Sequence, residues 1–304
     1  MSHISITKLL SARHQAFDRE WWYCFRLLPT VCDPLKAARF ISSHFEQFGE
    51  LTSAWDDDKN SEWVVRCYTA ARLIMASTLY LNSYRHSQSV NLRVPGSFLQ
   101  YYAALFSMRA CILTSPRERW KGGELVKLTH TKAINVSCDI LGALCPLPYS
   151  EKIKSDIGLM KAHRELISYI APSRGEEDMD LLSESDLISL CTVFAEIAQL
   201  QSEILEASLQ KKAPAGLKVT LKDEYLVQAC TIKIDGLEYT DQEDGYRLGY
   251  LRRKHPLMSN VCQIISEGHS EDFFGSWTAR EDVCDKEEHS FNPDKDWRII
   301  FDIP

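Results

Sequence analysis

The segment Phe98–Leu113 reads Phe-Leu-Gln-Tyr-Tyr-Ala-Ala-Leu-Phe-Ser-Met-Arg-Ala-Cys-Ile-Leu. Wound at ~100° per residue, its apolar side chains cover nearly the whole circumference of a helix, and such a helix is satisfied only when other elements surround it. Gln100, Ser107 and Arg109 interrupt it, and it falls short of the ~20 apolar residues that a membrane span requires. A central helix inside a helical bundle is the architecture that buries it. With 304 residues, 45% of them hydrophobic, the chain can supply the neighbours as one large domain or two medium ones.

The neighbours are legible from periodicity. Asp33-Pro34 is an N-cap followed by proline at the first helical position, and Leu35, Ala38, Ile41, Phe45 and Phe48 recur behind it at helical spacing. Val64–Tyr84 predicts a second helix. Ser97 and Gln100, directly after Pro95-Gly96, have the spacing of a capping box for the central helix. A basic loop with Gly122-Gly123 follows, then helices over about Thr131–Leu144 and Glu151–Ile170. Residues 173–186 are acidic and predict a loop. Ser185 is the expected cap of a long helix with Leu187, Leu190, Phe194, Ile197 and Ile204 on one face, closed by Lys211-Lys212 and Pro214.

Beyond residue 216 the period changes from helical to alternating. Leu217-Val219-Leu221 and Ile232-Ile234 predict strands, Asp235-Gly236 before Leu237 and Tyr239 predicts a hairpin, and Trp297–Phe301 predicts a final strand. The expected fold class is mainly α: a helical domain over residues 1–214 and a smaller mixed α/β C-terminal module over 215–304.

Composition narrows the functional classes. Thirty-five basic residues against 42 acidic ones leave a formal charge of −7, so any grip on a polyanion must come from a local patch. The first residues lack the basic segment and apolar run of a secretory signal, and the ten cysteines are scattered without CxxC units. The expectation is a cytoplasmic protein with reduced thiols and no membrane partner. His255, Cys262, His269, Cys284 and His289 do not have the close-pair spacing of a zinc site, so no metal and no cofactor is expected. No P-loop, GxGxxG, GxSxG or HExxH is present. Trp21-Trp22 and Phe273-Phe274 are core or partner-facing aromatics.

Two arginines fall where apolar residues belong. Arg109 lies on one stripe with Phe98, Tyr102, Leu105 and Ile112, and Arg164 lies on one with Ile153, Ile157, Met160 and Ile167. A guanidinium on an apolar stripe is costly unless it snorkels, meets a carboxylate such as Asp139 or Glu165, or faces an anion-binding cleft or subunit interface. If the two helices pack together, both guanidiniums converge. The intervening segment from Ser107 to Ala133 adds Arg117, Arg119, Lys121, Lys127 and Lys132 against only Glu118 and Glu124, and contains His130. Tyr101, Tyr102 and Trp120 are aromatics that either stack on bases or belong to the core.

Tyr101-Tyr102-Ala-Ala-Leu-Phe-Ser-Met-Arg-Ala-Cys-Ile-Leu113 resembles the central helix of the HEPN-like superfamily. Thr129-His130-Thr131-Lys132-Ala-Ile-Asn135 is similar to the Ser-His-Lys segment that follows in that family, and His163-Arg164-Glu-Leu-Ile-Ser-Tyr169 resembles its later Arg-containing helix. The spacing is also similar to that of the YaaC-like proteins within it. The likeness runs over roughly residues 60–210 in order. It implies a helical bundle, often dimeric, acting in prokaryotic anti-phage defence, toxin-type systems or RNA processing. Active members are metal-independent ribonucleases that use an Arg followed four to six residues later by His.

At the matching helix Arg164 is followed by Tyr169 instead, and a phenol with pKa near ~10 is a poor base at neutral pH. The Arg-x4-His at Arg39–His44 precedes the resembling segment, and this spacing arises by chance in a chain of such composition. The leading expectation is therefore a binding or assembly component that engages RNA, a nucleotide or a protein partner, a second copy included. Arg109, Tyr102, Arg117, Arg119, Lys121 and Lys132 are its candidate ligand-binding residues. The alternative is an endoribonuclease with His130 or His163 as base, Arg164 stabilising the phosphorane and Tyr169 in the family's His position. A purely structural subunit is the third possibility.

Overall fold

The computed structural model describes residues 23–173, 175, 182–213, 216–255, 257–266, 269–279 and 290–302. Ten helices and one hairpin are named here in chain order: α1 (Pro34–Ser53), α2 (Asp57–Ser89), α3 (Gly96–Leu113), α4 (His130–Gly142), α5 (Leu147–Tyr169), α6 (Glu184–Lys212), α7 (Asp223–Cys230), β1 (Thr231–Ile234), β2 (Leu237–Thr240), α8 (Gln242–Lys254), α9 (Val261–Ser266) and α10 (His269–Gly275). The fold is mainly α, with the antiparallel pair β1–β2 as the only sheet among the described residues.

α3 occupies the centre, packed against α2, α4, α5 and α6. Tyr101, Ala103, Ala104, Leu105, Met108, Ala110 and Cys111 are all wholly buried. The one strip of α3 that stays half-exposed carries Tyr102, Phe106 and Arg109, at the i, i+4, i+7 spacing that makes a helical face.

The second fully surrounded helix is α6, which the sequence suggests to be amphipathic. Its face with Leu187, Leu190, Phe194 and Ile197 meets α3, but Glu196, Gln199, Gln201, Glu203 and Glu206 on its other sides are buried too. Segments far away in sequence cover them. The Glu196 carboxylate accepts from the backbone N–H groups of Arg26 (2.6 Å), Leu27 (3.1 Å) and Leu28 (2.6 Å), at the start of a one-turn helix over Leu28–Val31. Those N–H groups have no partner within their own turn, and a carboxylate is their natural acceptor. On the opposite side Gln199 accepts from Cys262 N (2.8 Å), Ser202 accepts from Val261 N (3.1 Å), and Asn260 bridges Gln199 and Glu206 while capping α9. α6 is also the one described helix long and apolar enough to cross a membrane, and 89% of that window is buried inside the protein.

Several local expectations are met. Asp33 caps α1, accepting from Leu35 N and Lys36 N. Asp235 (φ +48°) and Gly236 (φ +82°) form the two-residue turn between β1 and β2, both in the left-handed region that a right-twisted hairpin favours.

Others are overturned, most of them where a tertiary partner outcompetes the local signal. Ser97 and Gln100 make no capping box: α3 begins at Gly96 without a side-chain cap, and Gln100 Nε2 reaches the carbonyl of Leu182 at 3.1 Å. The cap of α6 is Ser183 rather than Ser185, accepting from Asp186 N. The run 217–221 pairs with no strand. Val219 and Leu221 are buried, and the Asp57 carboxylate and Ser61 hydroxyl accept from Thr220 N and Lys222 N, replacing ladder partners. Trp297–Phe301 is likewise no strand but a turn and bends after a short 3-10 segment, with Ile300 and Phe301 plugged into the core. The expected boundary at 214, half of the expected acidic loop 173–186, Trp21-Trp22, Cys284 and His289 lie outside the described residues, and the last three residues of that loop, Glu184–Asp186, are instead the first turn of α6. The core is continuous from Tyr23 to Phe301.

Candidate functional site

α3, α4 and α5 pack pairwise, and the basic segment between α3 and α4 folds as 3-10 turns over Lys121–Lys127. Gly122 (φ +62°) and Gly123 (φ +90°) supply its left-handed backbone. The segment ends at Leu128, whose carbonyl accepts from Arg109 Nη2 at 2.9 Å. Thr129 then caps α4 by accepting from Lys132 N, which fixes His130 in the first turn.

His130 Nδ1 and the Tyr101 hydroxyl are 2.9 Å apart. The Tyr101 and Tyr102 rings flank the imidazole, with centroids at 5.5 and 6.1 Å and Tyr102 edge-on at 90°. From α5, the Arg164 guanidinium carbon stands 5.3 Å from the Tyr101 ring centroid, within cation–π range. Its Nη2 is 3.2 Å from Glu165 Oε1, and Lys161 lies 3.8 Å from the same carboxylate oxygen. The two arginines therefore meet around one Tyr–His pair. The Nε atoms of Arg109 and Arg164 are both buried and have no hydrogen-bond partner among the described residues.

This environment sets the protonation states. Burial, then the positive charges of Arg109, Arg164 and Lys161, push the His130 pKa below its ordinary value, so the imidazole is neutral at pH 7. Burial outweighs the nearby arginines and pushes the Tyr101 hydroxyl up to about 12, which keeps it protonated. With the Nδ1–H tautomer donating to Tyr101, His130 Nε2 is an available acceptor; with the other tautomer, Tyr101 donates and Nε2–H is a donor.

Beside this group lies a cleft of about 290 Å³ lined by Arg117, Glu118, Arg119, Lys121, Glu124, Leu125, Leu128 and Lys132. Four basic side chains face two carboxylates there. Leu128 joins the two features, since it lines the cleft and its carbonyl holds Arg109. The start of α4, with its unpaired N–H groups and positive dipole end, adds Lys132 to the same wall.

Of the sequence candidates, the fold gathers Tyr102, Arg109, His130 and Arg164 at one place and Arg117, Arg119, Lys121 and Lys132 in the adjoining cleft. It does not gather Tyr169 with them. His163 continues the buried stripe of Ile153, Ile157 and Met160, which leaves Arg164 at that stripe's edge, half-buried. Tyr169 is 79% exposed at the end of α5, about 140° around the helix from Arg164 at ~100° per residue. Arg39 and His44 also part company: Arg39 is exposed, while His44 is 2% exposed, stacked on Phe40 at 3.8 Å.

Glu165 meets Arg164 as the sequence suggests, whereas Tyr101 as the partner of His130 and Lys161 beside that ion pair are additions that only the packing reveals. The i,i+4 spacing of Lys161 and Glu165 is the sequence trace of that lysine. Among the described residues no group of three or more His, Cys, Asp or Glu side chains is placed to hold a metal ion. Comparison with protein-family models, with curated protein sequences and with solved structures gives no match for this chain.

Proposed function

We propose that this chain is a HEPN-like RNA-binding component that holds phosphate groups between Arg109 and Arg164 and leads the rest of the strand along the Arg117–Lys132 cleft. The observation that carries the reading is the convergence of two half-buried guanidiniums, each with a buried Nε unspent, on a neutral histidine. Guanidinium groups suit such a role because their forked donors match phosphate oxygens, and a basic groove beside aromatic rings suits a single strand. The prokaryotic defence or toxin-type setting that the family resemblance implies belongs to the same proposal.

The test is binding of a short labelled single-stranded RNA, followed by fluorescence anisotropy with Arg109→Ala and Arg164→Ala. Each variant is expected to weaken binding about tenfold or more, as loss of a charged hydrogen bond does, and to reduce the salt dependence. Unchanged affinity in folded variants overturns the assignment.

One observation favours a second reading, metal-independent endoribonuclease chemistry at the same place. His130 is neutral, oriented by Tyr101 and flanked by two cations, the arrangement needed to take a proton from a ribose 2′-hydroxyl while the arginines stabilise the phosphorane. RNA cleavage in EDTA that disappears with His130→Ala supports that reading. Absence of cleavage with retained binding leaves the binding role alone.

A further inference from the structure

The half-exposed strip of α3 that carries Arg109 also carries two aromatic rings, Phe106 and Tyr102. A third ring, Tyr80 of α2, is half-buried as well and meets both. Its centroid lies 5.1 Å from that of Phe106 at 82° and 6.2 Å from that of Tyr102, and Tyr102 and Phe106 are 6.2 Å apart. The inner sides of all three pack on the core. Tyr102 in turn stands edge-on to His130 of α4 at 6.1 Å. α2 and α4 both pack on α3, so the aromatic strip runs between them and leads to Arg109.

The neighbourhood of the strip decides what covers it. An apolar protein surface seated on these rings would also bury the Arg109 guanidinium, whose Nε is already buried without a hydrogen-bond partner among the described residues, and a buried cation without an anion is costly. A nucleotide brings a flat base for the rings and a phosphate for the guanidinium in one unit. The strip also has the length for it. From Tyr102 to Arg109 the helix rises ~10 Å at ~1.5 Å per residue, the span of about three nucleotides at the ~3.4 Å of a stacked strand.

We infer that Tyr80, Tyr102 and Phe106 form a base-stacking subsite for unpaired nucleotides, placed beside the phosphate grip of Arg109 and Arg164. The inference rests on the RNA-binding reading above and adds to it a dependence on the bases. Rings half-sunk between two helices are reached by a base that has left its own stack, so the subsite selects single strands over duplex.

The test compares two labelled strands of about eight nucleotides on the full chain by fluorescence anisotropy: oligoadenylate, and a ribose–phosphate strand of the same length without bases. Oligoadenylate is expected to bind at least about fivefold more tightly, as stacking of a single base on an aromatic side chain provides. Tyr80→Leu and Phe106→Leu keep apolar volume and remove a ring, and each should lower that ratio while leaving the affinity of the abasic strand unchanged. Arg109→Ala should weaken both strands alike. Equal affinity of the parent protein for the two strands overturns the subsite, a comparison that needs no variant to fold, and so does an undiminished ratio in both leucine variants. Arginine variants without effect on either strand refute the phosphate reading alone, because the ratio between the strands does not depend on it. Self-association of the chain that Phe106→Leu abolishes also overturns the subsite, by making a second copy the occupant of the strip.

Discussion

Arg66 is 1% exposed in the middle of α2, yet it is fully employed. Its Nε donates to Leu113 O at 2.6 Å, Nη2 to Ser115 O at 2.6 Å, and Nη1 to Glu118 O and Glu62 Oε1, both at 2.9 Å. The guanidinium thus stands at the C-terminal end of α3, where orphan carbonyls and the negative dipole end favour a cation, and it lies 3.8 Å above the Trp63 ring. Burial lowers its pKa and Glu62 opposes that.

Arg66→Met keeps the aliphatic volume and removes every donor. Glu62 and Glu118 border an open cleft and can turn to water, so the cost comes from the two buried bonds, to Leu113 and Ser115. At about 1.5–3 kcal/mol per charged hydrogen bond lost, the sum is about 3–6 kcal/mol. Release of the guanidinium desolvation penalty offsets part of it, leaving about 3 kcal/mol. That is a large share of an ordinary stability of about 5–15 kcal/mol. Urea denaturation by circular dichroism measures it directly, with Arg66→Lys expected to fall between parent and Met variant because an ammonium keeps the charge but not the fork. A Met variant within about 0.5 kcal/mol of the parent would refute the claim that this guanidinium terminates α3.

Three further outcomes are expected. Burial holds the His44 pKa down at about 4 against an ordinary 6.5, so the unfolded chain binds the extra proton. Stability is then fully present above pH 6.5 and lost as pH falls toward 4, by an amount on the order of 3 kcal/mol; denaturation of His44→Phe across that range should show a flatter pH dependence. Glu196→Ala strands the N–H groups of Arg26, Leu27 and Leu28 and should cost about 3 kcal/mol, with proteolysis accelerating in the released segment before global unfolding. Gly236→Ala strains a residue at φ +82° by about 1 kcal/mol; hydrogen exchange should quicken over residues 231–240 while the melting of the bundle stays put.

Much of the candidate site could be read in advance because it depends on helical phase. Arg109 and Arg164 stand out as charges among apolar residues at i, i+3 and i+4, and no knowledge of partners is needed to see it. That Tyr101, rather than Tyr102, meets His130 Nδ1 could not be read, since adjacent residues differ by only ~100° of phase and the choice depends on how α4 lies across α3. The failed cap at Ser97 has the same origin: its spacing is right, but the Gln100 side chain is turned away from the helix start to donate to the carbonyl of Leu182, a residue brought near by the fold.

The sequence by itself determined that the chain is mainly helical, that α3 is enclosed, where α1 starts and that Asp235-Gly236 turns a hairpin, because periodicity, caps and left-handed turn residues act within a few residues of one another. Tertiary structure alone decided that α6 is buried on its polar sides, that 217–221 and 297–301 form no strands, and that two arginines far apart in sequence share one histidine. Each of those outcomes rests on a hydrogen-bond or packing partner from another element, such as Glu196 with Leu28 or Asp57 with Thr220, and no local pattern encodes where such a partner will be.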